Sequence, residues 1–323
     1  MERLGINTSV IGLGCWQLGG DWGEVSEEHA LATLHAAADA GVNFFDTADV
    51  YGDGRSEQLI GRFLRERGSE AITVATKMGR RARPHVPQAF TGENFRAWND
   101  RSRTNLGMDC LDLVQLHCPP APVYDTDAVF DELDAMVQEG RMRAYGVSVE
   151  TVAEALAAIA RPNVASVQVI LNVFRRKPLE QVLPAAEAAG VGIIARVPLA
   201  SGLLSGKYDE STQFAASDHR TYNRNGESFD KGETFSGVPY EVGVTAAREV
   251  AALTPQGAST AQFALRWIVD QPGVSVVIPG ARNPGQARDN ARAGSLAPLS
   301  PTQLDALEAI YDERIRAHVH SNW

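Results

Sequence analysis

The stretch Asn43-Phe44-Phe45-Asp46-Thr47-Ala48-Asp49-Val50-Tyr51-Gly52 decides how the chain is read. It opens on an apolar pair and breaks off into small and polar residues, the pattern of a short buried strand ending at a rim. Asp46 and Tyr51 stand five residues apart at that break. If the strand belongs to a barrel, a carboxylate and a phenol emerge together at its C-terminal edge, where α/β barrels carry their chemistry.

Outward from this stretch, short apolar runs alternate with amphipathic segments closed by glycine. Ser26 is placed to cap a helix with Glu27 and Glu28 in its first turn, and Leu31, Leu34 and Ala38 recur at helical spacing before Gly41. Gly107, Gly140 and Gly190 close further helices ahead of apolar runs at 110–116, 142–148 and 191–195, while Pro178 and Pro284 suit first helical positions. Runs at 10–14, 72–76, 165–170 and 275–278 bring the strands to about eight, alternating with about eight helices. Right-handed crossovers leave a doubly wound sheet or a closed barrel. Eight units favour an α/β fold of the (β/α)8 TIM-barrel type, parallel, with long rim loops and one domain over residues 1–323. Only the region from about 208 to 240 breaks the rhythm. It is polar and aperiodic, and a loop of that length in a compact domain is usually functional or disordered.

With 44% hydrophobic and 22% charged residues, the 323-residue chain can bury a full core. A net charge of -10 argues against nucleic acid or an anionic membrane as main partner, yet leaves room for a local basic pocket that takes a phosphorylated cofactor. Three cysteines, odd in number and far apart, argue for a reducing compartment. No apolar signal segment opens the chain and no apolar run reaches about 18 residues, so a cytoplasmic location is expected. His-x-His, Cys-x-x-Cys and His-Glu-x-x-His spacings are absent, and no metal site is expected.

Lys77 follows the third apolar run and His117 the fourth. Singly, a strand-end lysine is ordinarily a solvated rim charge and a strand-end histidine a satisfied core residue. Joined with Asp46 and Tyr51, they compose a general-acid site. A tyrosine with pKa about 10 donates poorly near neutrality, and lowering that value by about 3 units takes about 4 kcal/mol of differential interaction. Lys77 is expected to supply it, held by Asp46, while His117 orients a carbonyl oxygen or relays a proton. A strand-end lysine in a barrel is also the nucleophile of a Schiff-base aldolase, but Asp46 favours the ammonium over the neutral amine that chemistry needs.

Asp46-Thr47-Ala48-x-x-Tyr51-Gly52-x-x-x-Ser56-Glu57, Thr76-Lys77 and Leu116-His117 resemble the aldo-keto reductases, with a correspondence running from Gly12-Leu13-Gly14 to Asn290. The resemblance implies an NADPH-dependent barrel with Tyr51 as acid, Lys77 and Asp46 tuning it, His117 in the substrate pocket and a small carbonyl compound as substrate. It further implies nicotinamide contacts from Ser148 and Gln168, with Val149 standing where the family commonly has asparagine. In Ala195-Arg196-Val197-Pro198-Leu199, Arg196 takes the place of an aromatic residue under the nicotinamide. A guanidinium can stack there instead, a plain salt bridge being the alternative. Pro198, Leu199, Ser201, Gly202, Leu203 and Lys207 fall in the cofactor-binding stretch, whose small residues let backbone approach the pyrophosphate, and the polar loop that follows is expected to fold over it. This stretch is not a P-loop, because its glycines are one residue too close and Tyr208 replaces Ser/Thr. Gly280, Arg282, Gln286 and Asn290 correspond to the adenosine end, with Arg282 suited to the 2′-phosphate. Trp16 and Cys118 are expected to line the substrate pocket, with Trp22, Met78 and Trp98 as further candidates. Arg80-Arg81-x-Arg83 reads as a solvated loop able to attract an anionic substrate. Some relatives act as channel subunits, so an NADPH-sensing binding subunit is the alternative function.

Overall fold

In the computed structural model, which describes residue 3 and residues 5–20, 25–68 and 72–323, every strand ends within two residues of its apolar run. The strands are β1 Leu13–Gly14, β2 Phe44–Asp46, β3 Thr73–Met78, β4 Leu111–His117, β5 Met142–Ser148, β6 Val164–Ile170, β7 Gly192–Arg196 and β8 Val274–Val277. They lie in sequence order and every neighbouring pair is parallel. Parallel bridges Ile11–Val277 and Gly14–Gly280 bring β8 back to β1, so the sheet closes on itself as the expected barrel.

The surrounding helices are α1 Glu27–Asp39, α2 Arg55–Arg67, α3 Gly92–Leu106, α4 Asp127–Gln138, α5 Val152–Ile159, α6 Pro178–Ala189, the single turn α7 His219–Tyr222, α8 Tyr240–Ala252, α9 Thr260–Val269, α10 Pro284–Arg292 and α11 Pro301–Ile310. Their ends follow local chemistry. The Ser26 side chain accepts from the His29 N–H at the start of α1, and Pro178 and Pro284 occupy opening positions of α6 and α10. No helix among the described residues is long and apolar enough to cross a membrane.

A period of two along each strand separates the faces and builds the barrel interior in layers. Phe44, Ala75, Leu113, Ile194, Val276 and Ile278 form an inner apolar cluster, while Phe45, Val74 and Val114 belong to the larger core under the helices. Two residues further along, the inward positions become Asp46, Lys77, Gln115 and Gln168, all buried. At the rim beyond them stand His117 at the end of β4, Ser148 at the end of β5 and Arg196 at the end of β7. The same alternation that fills the barrel therefore stacks a polar layer on an apolar plug and turns it toward the C-terminal rim.

Candidate active site

Asp46 ends β2, and the Tyr51 loop leaves the barrel there. Ser56 and Glu57, at the start of α2, tie this loop down. The Ser56 hydroxyl accepts from Thr47 Oγ1 (2.8 Å) and donates to the Cys15 carbonyl (2.9 Å), and Glu57 accepts from Thr76 Oγ1 (2.6 Å) and Asn105 Nδ2 (2.9 Å). From outside, Arg81 and Arg101 donate to the Asp49 carbonyl at 3.2 and 3.3 Å and to Asp53 Oδ1 at 3.0 and 2.9 Å. Gly52 has φ +59, and a Cβ there would lie 2.4 Å from the Gly19 carbonyl oxygen. Gly52→Ala is therefore expected to cost about 2 kcal/mol or more, through left-handed strain and this clash, with a matching fall in denaturant midpoint.

The anchored loop brings the acid–base groups together. Lys77 Nζ donates to Asp46 Oδ1 at 2.5 Å, to the Thr47 carbonyl at 2.8 Å and to Tyr51 Oη at 3.3 Å. Asp46 Oδ2 accepts from Gln115 Nε2 (3.1 Å) and Gln168 Nε2 (2.7 Å), so both its oxygens are engaged. Burial disfavours charge on Lys77, but Asp46 and Tyr51 outweigh it and hold the ammonium above its ordinary value. For Tyr51 the expectation is reversed. Burial pushes the phenol up, and Lys77 opposes this without overcoming it. The phenol thus keeps its proton, as a donor must. The His117 ring lies edge-on to Tyr51 at 6.0 Å, and burial together with Arg80 and Lys77 holds it well below the usual histidine range. It is a neutral imidazole, and its buried Nδ1 has no hydrogen-bond partner among the described residues.

Tyr51 and His117 face a cleft that runs past Ser148, Gln168, Arg196, Pro198 and Leu199 to Ser201, Gly202 and Lys207, and on to Gly280, Arg282, Gln286 and Asn290. Of the residues expected at the cofactor, only Leu203 is missing from the wall. It is buried under Gly243 of α8, a packing role. Along the cleft, Ala200, Ser201 and Gly202 have φ +47, +53 and +97, and Gly202 leaves space that a Cβ would take at 2.7 Å from Tyr208 Oη. The segment's own turns occupy two of these N–H groups: Ala200 donates to the Val197 carbonyl at 3.0 Å and Gly202 to the Leu199 carbonyl at 2.8 Å. At the far end α10 opens onto the cleft. Its first turn is capped by Asn283 Oδ1, and the Gln286 side chain accepts from the Arg282 N–H at 2.8 Å. Asn290 Nδ2 donates to the Gly280 carbonyl at 3.1 Å. Small residues, Lys207, Arg282 and a helix N-terminus suit a long anionic nucleotide.

Trp16 lies over Tyr51 at 5.9 Å with 20° between the planes and also contacts His219 and Phe229. Cys118 stands beside the cleft rather than on its wall, with Sγ 3.6 Å from Ser148 Oγ. Met78 is core, Trp98 packs on Phe90 and Phe95, and Trp22 lies outside the described residues.

Arg80 corrects the reading of a solvated loop. Its Nη2 lies 3.2 Å from Glu150 and 2.8 Å from Glu233, and these carboxylates lie 3.0 and 3.6 Å from Arg196. Arg196 Nη2 also donates to the Val149 carbonyl at 3.0 Å, a contact that any side chain at position 149 permits. The salt-bridge alternative for Arg196 is thus realised, on a residue that still lines the cleft. Cys118, Glu150 and Glu233 offer three potential metal-ligand atoms within 4.8 Å of one another, but two guanidiniums already neutralise both carboxylates.

The long loop does fold over the cleft. Tyr208, Arg220 and Glu233 line it, and Arg220 Nη1 donates to Tyr208 Oη at 2.6 Å and Ser201 O at 3.4 Å. Asn172 Nδ2 joins β6 to this loop through Ser236 Oγ at 2.8 Å.

The Aldo/keto reductase family model matches residues 10–312. The chain belongs to the aldo/keto reductase family. Aldo-keto reductase YhdN of Bacillus subtilis (strain 168) is 33% identical, with 87% of this chain and 84% of the relative covered. A probable voltage-gated potassium channel subunit beta of Oryza sativa subsp. japonica is 30% identical, with 97% and 96% covered. Among solved structures, glycerol dehydrogenase AKR11B4 from Gluconobacter oxydans has TM-score 0.77 at 30% identity, covering 98% of this chain and 94% of that one. An aldo-keto reductase from Klebsiella pneumoniae in complex with NADPH has TM-score 0.70 at 23% identity, covering 94% and 90%, a likeness of fold. In this family member, then, the Asp46–Lys77–Tyr51 group and the cleft share one strand-end rim.

Proposed function

We propose that the protein is an NADPH-dependent reductase of aldehydes or ketones, residues 1–323 acting as one barrel domain. The observation that carries this reading is the Asp46–Lys77–Tyr51 chain, at 2.5 and 3.3 Å, aimed into the cleft beside His117. The bound cofactor would supply the hydride that goes to the carbonyl carbon. Tyr51 Oη gives its proton to the carbonyl oxygen as that oxygen becomes negative. Lys77 stabilises the phenolate left behind, and Asp46 keeps the ammonium charged and fixed. Neutral His117 is a second donor able to orient the carbonyl oxygen without adding charge. Ser148 and Gln168 suit the nicotinamide end, Arg196 lies beside it, and Ser201, Gly202 and Lys207 suit the pyrophosphate. Trp16 closes the substrate side.

The held ammonium argues against a Schiff-base aldolase, which needs Lys77 neutral and nucleophilic. The channel-subunit relative supports the non-catalytic alternative, a cofactor-sensing subunit. Absorbance at 340 nm with NADPH and a panel of aldehydes and ketones, glyceraldehyde included because of the glycerol dehydrogenase neighbour, separates the two. Carbonyl-dependent oxidation of NADPH supports the reductase. Tight NADPH binding without turnover across the panel rejects it and favours the sensing subunit.

Arg282 carries the preference for the phosphorylated cofactor. Arg282→Ala is expected to weaken NADPH binding about tenfold or more, the scale of a lost charge-assisted contact. NADH binding, titrated by fluorescence alongside, should hardly change. Equal weakening of both would remove Arg282 from phosphate recognition.

A further inference from the structure

Arg80, Glu150, Arg196 and Glu233 form a closed ring of alternating charge. Arg80 contacts Glu150 at 3.2 Å, Glu150 contacts Arg196 at 3.0 Å, Arg196 contacts Glu233 at 3.6 Å, and Glu233 returns to Arg80 at 2.8 Å. The members come from separate segments: the loop after β3, the loop after β5, the end of β7 and the long loop before α8. The side chains of Arg196 and Glu233 are 9% and 6% exposed and those of Glu150 and Arg80 15% and 23%, so solvent screens the cleft side of the ring least. It reaches the cleft wall through Arg196 and Glu233, at the end where Tyr51, His117, Ser148 and Gln168 gather. Arg196 Nε is buried with no hydrogen-bond partner among the described residues.

Resting on the nicotinamide reading above, we infer that the net charge of this ring sets the protein's preference between the oxidised and reduced forms of its cofactor, with Glu150 as the adjustable member. The two forms share their phosphates, riboses and adenine. They differ at the nicotinamide, which carries one positive charge when oxidised and none when reduced. Hydride transfer requires that ring at the Tyr51 end of the cleft, where a poorly screened charge in the wall discriminates between the forms. Two guanidiniums with two carboxylates sum to zero and tolerate the oxidised ring. With Glu150 neutral the sum is one positive charge, which opposes it.

The surroundings make Glu150 the member that changes. Burial raises its pKa, Arg196 and Arg80 oppose this and Glu233 and Asp230 add to it, leaving it above the ordinary carboxylate range. Burial acts likewise on Glu233, but Arg80 and Arg196 overcome it and keep that carboxylate ionised. Cys118, after β4, is a neutral thiol because burial pushes it up. Two more charged side chains reach only the Glu150 main chain: Glu154 Oε2 accepts from its N–H at 2.9 Å, and Arg175 Nη2 donates to its carbonyl at 3.1 Å. The sign follows. Above the Glu150 transition the ring is neutral and the oxidised cofactor is accepted; below it the ring is positive and the reduced form is favoured.

The test is the ratio Kd(NADP+)/Kd(NADPH), measured by fluorescence titration from about pH 6 to about pH 8.5, across the transition. Titration of the 2′-phosphate cancels in this ratio because both forms carry it. The wild-type ratio should fall about tenfold as pH rises through that range, the scale of one unit charge near the ring. Glu150→Gln should keep the high, low-pH ratio throughout. Arg80→Gln, which removes charge of the opposite sign, should bring the ratio at about pH 6, where Glu150 is neutral in both proteins, below the wild-type value. That opposition of sign separates an electrostatic role from a structural one. A ratio that is independent of pH and equal in all three proteins overturns the inference and leaves the reductase reading standing. Failure of the wild type to bind either form overturns both.

Discussion

Tyr51→Phe should lower turnover about 10³-fold, the scale expected when a positioned general acid is removed, while changing the Kd of NADPH by no more than about twofold. The substitution deletes one oxygen. Lys77 keeps its contacts at 2.5 Å to Asp46 and 2.8 Å to the Thr47 carbonyl, so the ammonium is not orphaned and the fold should persist. Trp16 can still pack on the phenyl ring. Parallel steady-state kinetics and fluorescence titration check both halves. Unchanged turnover would remove Tyr51 from proton transfer, and a large loss of NADPH affinity would show that the hydroxyl serves binding instead.

Lys77→Met should be the more damaging change, because it strikes the fold and the chemistry together. Asp46 and Lys77 are 2% and 1% exposed, and removing one partner of a buried pair typically costs about 3–5 kcal/mol. Turnover should fall at least as far as in Tyr51→Phe, since the phenolate would form without a nearby cation. Adding Asp46→Asn removes the stranded charge and keeps a carbonyl oxygen to accept from Gln115 or Gln168. The double variant should therefore regain most of the denaturant midpoint and none of the turnover. Recovery of both would mean that Lys77 only fills space. Recovery of neither would mean that the stranded Asp46 charge is not the source of the lost stability.

The barrel was legible because its strands are apolar runs bounded by helix-capping glycines, features that depend on neighbours in sequence. The catalytic candidates were legible for the same reason: Asp46, Lys77 and His117 stand at or beside the ends of such runs. Period two then turns all three inward and places the buried amide Gln115, two residues before His117, in the same polar interior. The charge ring was not legible. Its members are 37 to 153 residues apart, so no local spacing joins them, and a charged residue in a polar loop reads as solvated. Arg80 looked like part of a surface cluster, and Glu233 sat in the one aperiodic stretch. Burial of a charge by a loop from elsewhere in the chain leaves no trace in local pattern. The Tyr51 expectation missed for a related reason: the opposing charge of Lys77 could be inferred from sequence, but the extent of burial that outweighs it could not. The burial of the Leu203 side chain against Gly243, 40 residues on, was hidden in the same way.

The most direct measurement is a single turnover with NADPH deuterated at C4 of the nicotinamide. The protein is loaded with one equivalent, mixed with a reactive aldehyde and followed at 340 nm, and the product is analysed by mass spectrometry. Wild type should consume the bound NADPH and carry deuterium into the alcohol carbon, whereas Tyr51→Phe, equally loaded, should do so about 10³-fold more slowly. Loaded wild-type protein that retains its 340 nm absorbance, or that consumes it without deuterium in the alcohol, would contradict hydride transfer to a carbonyl at this site.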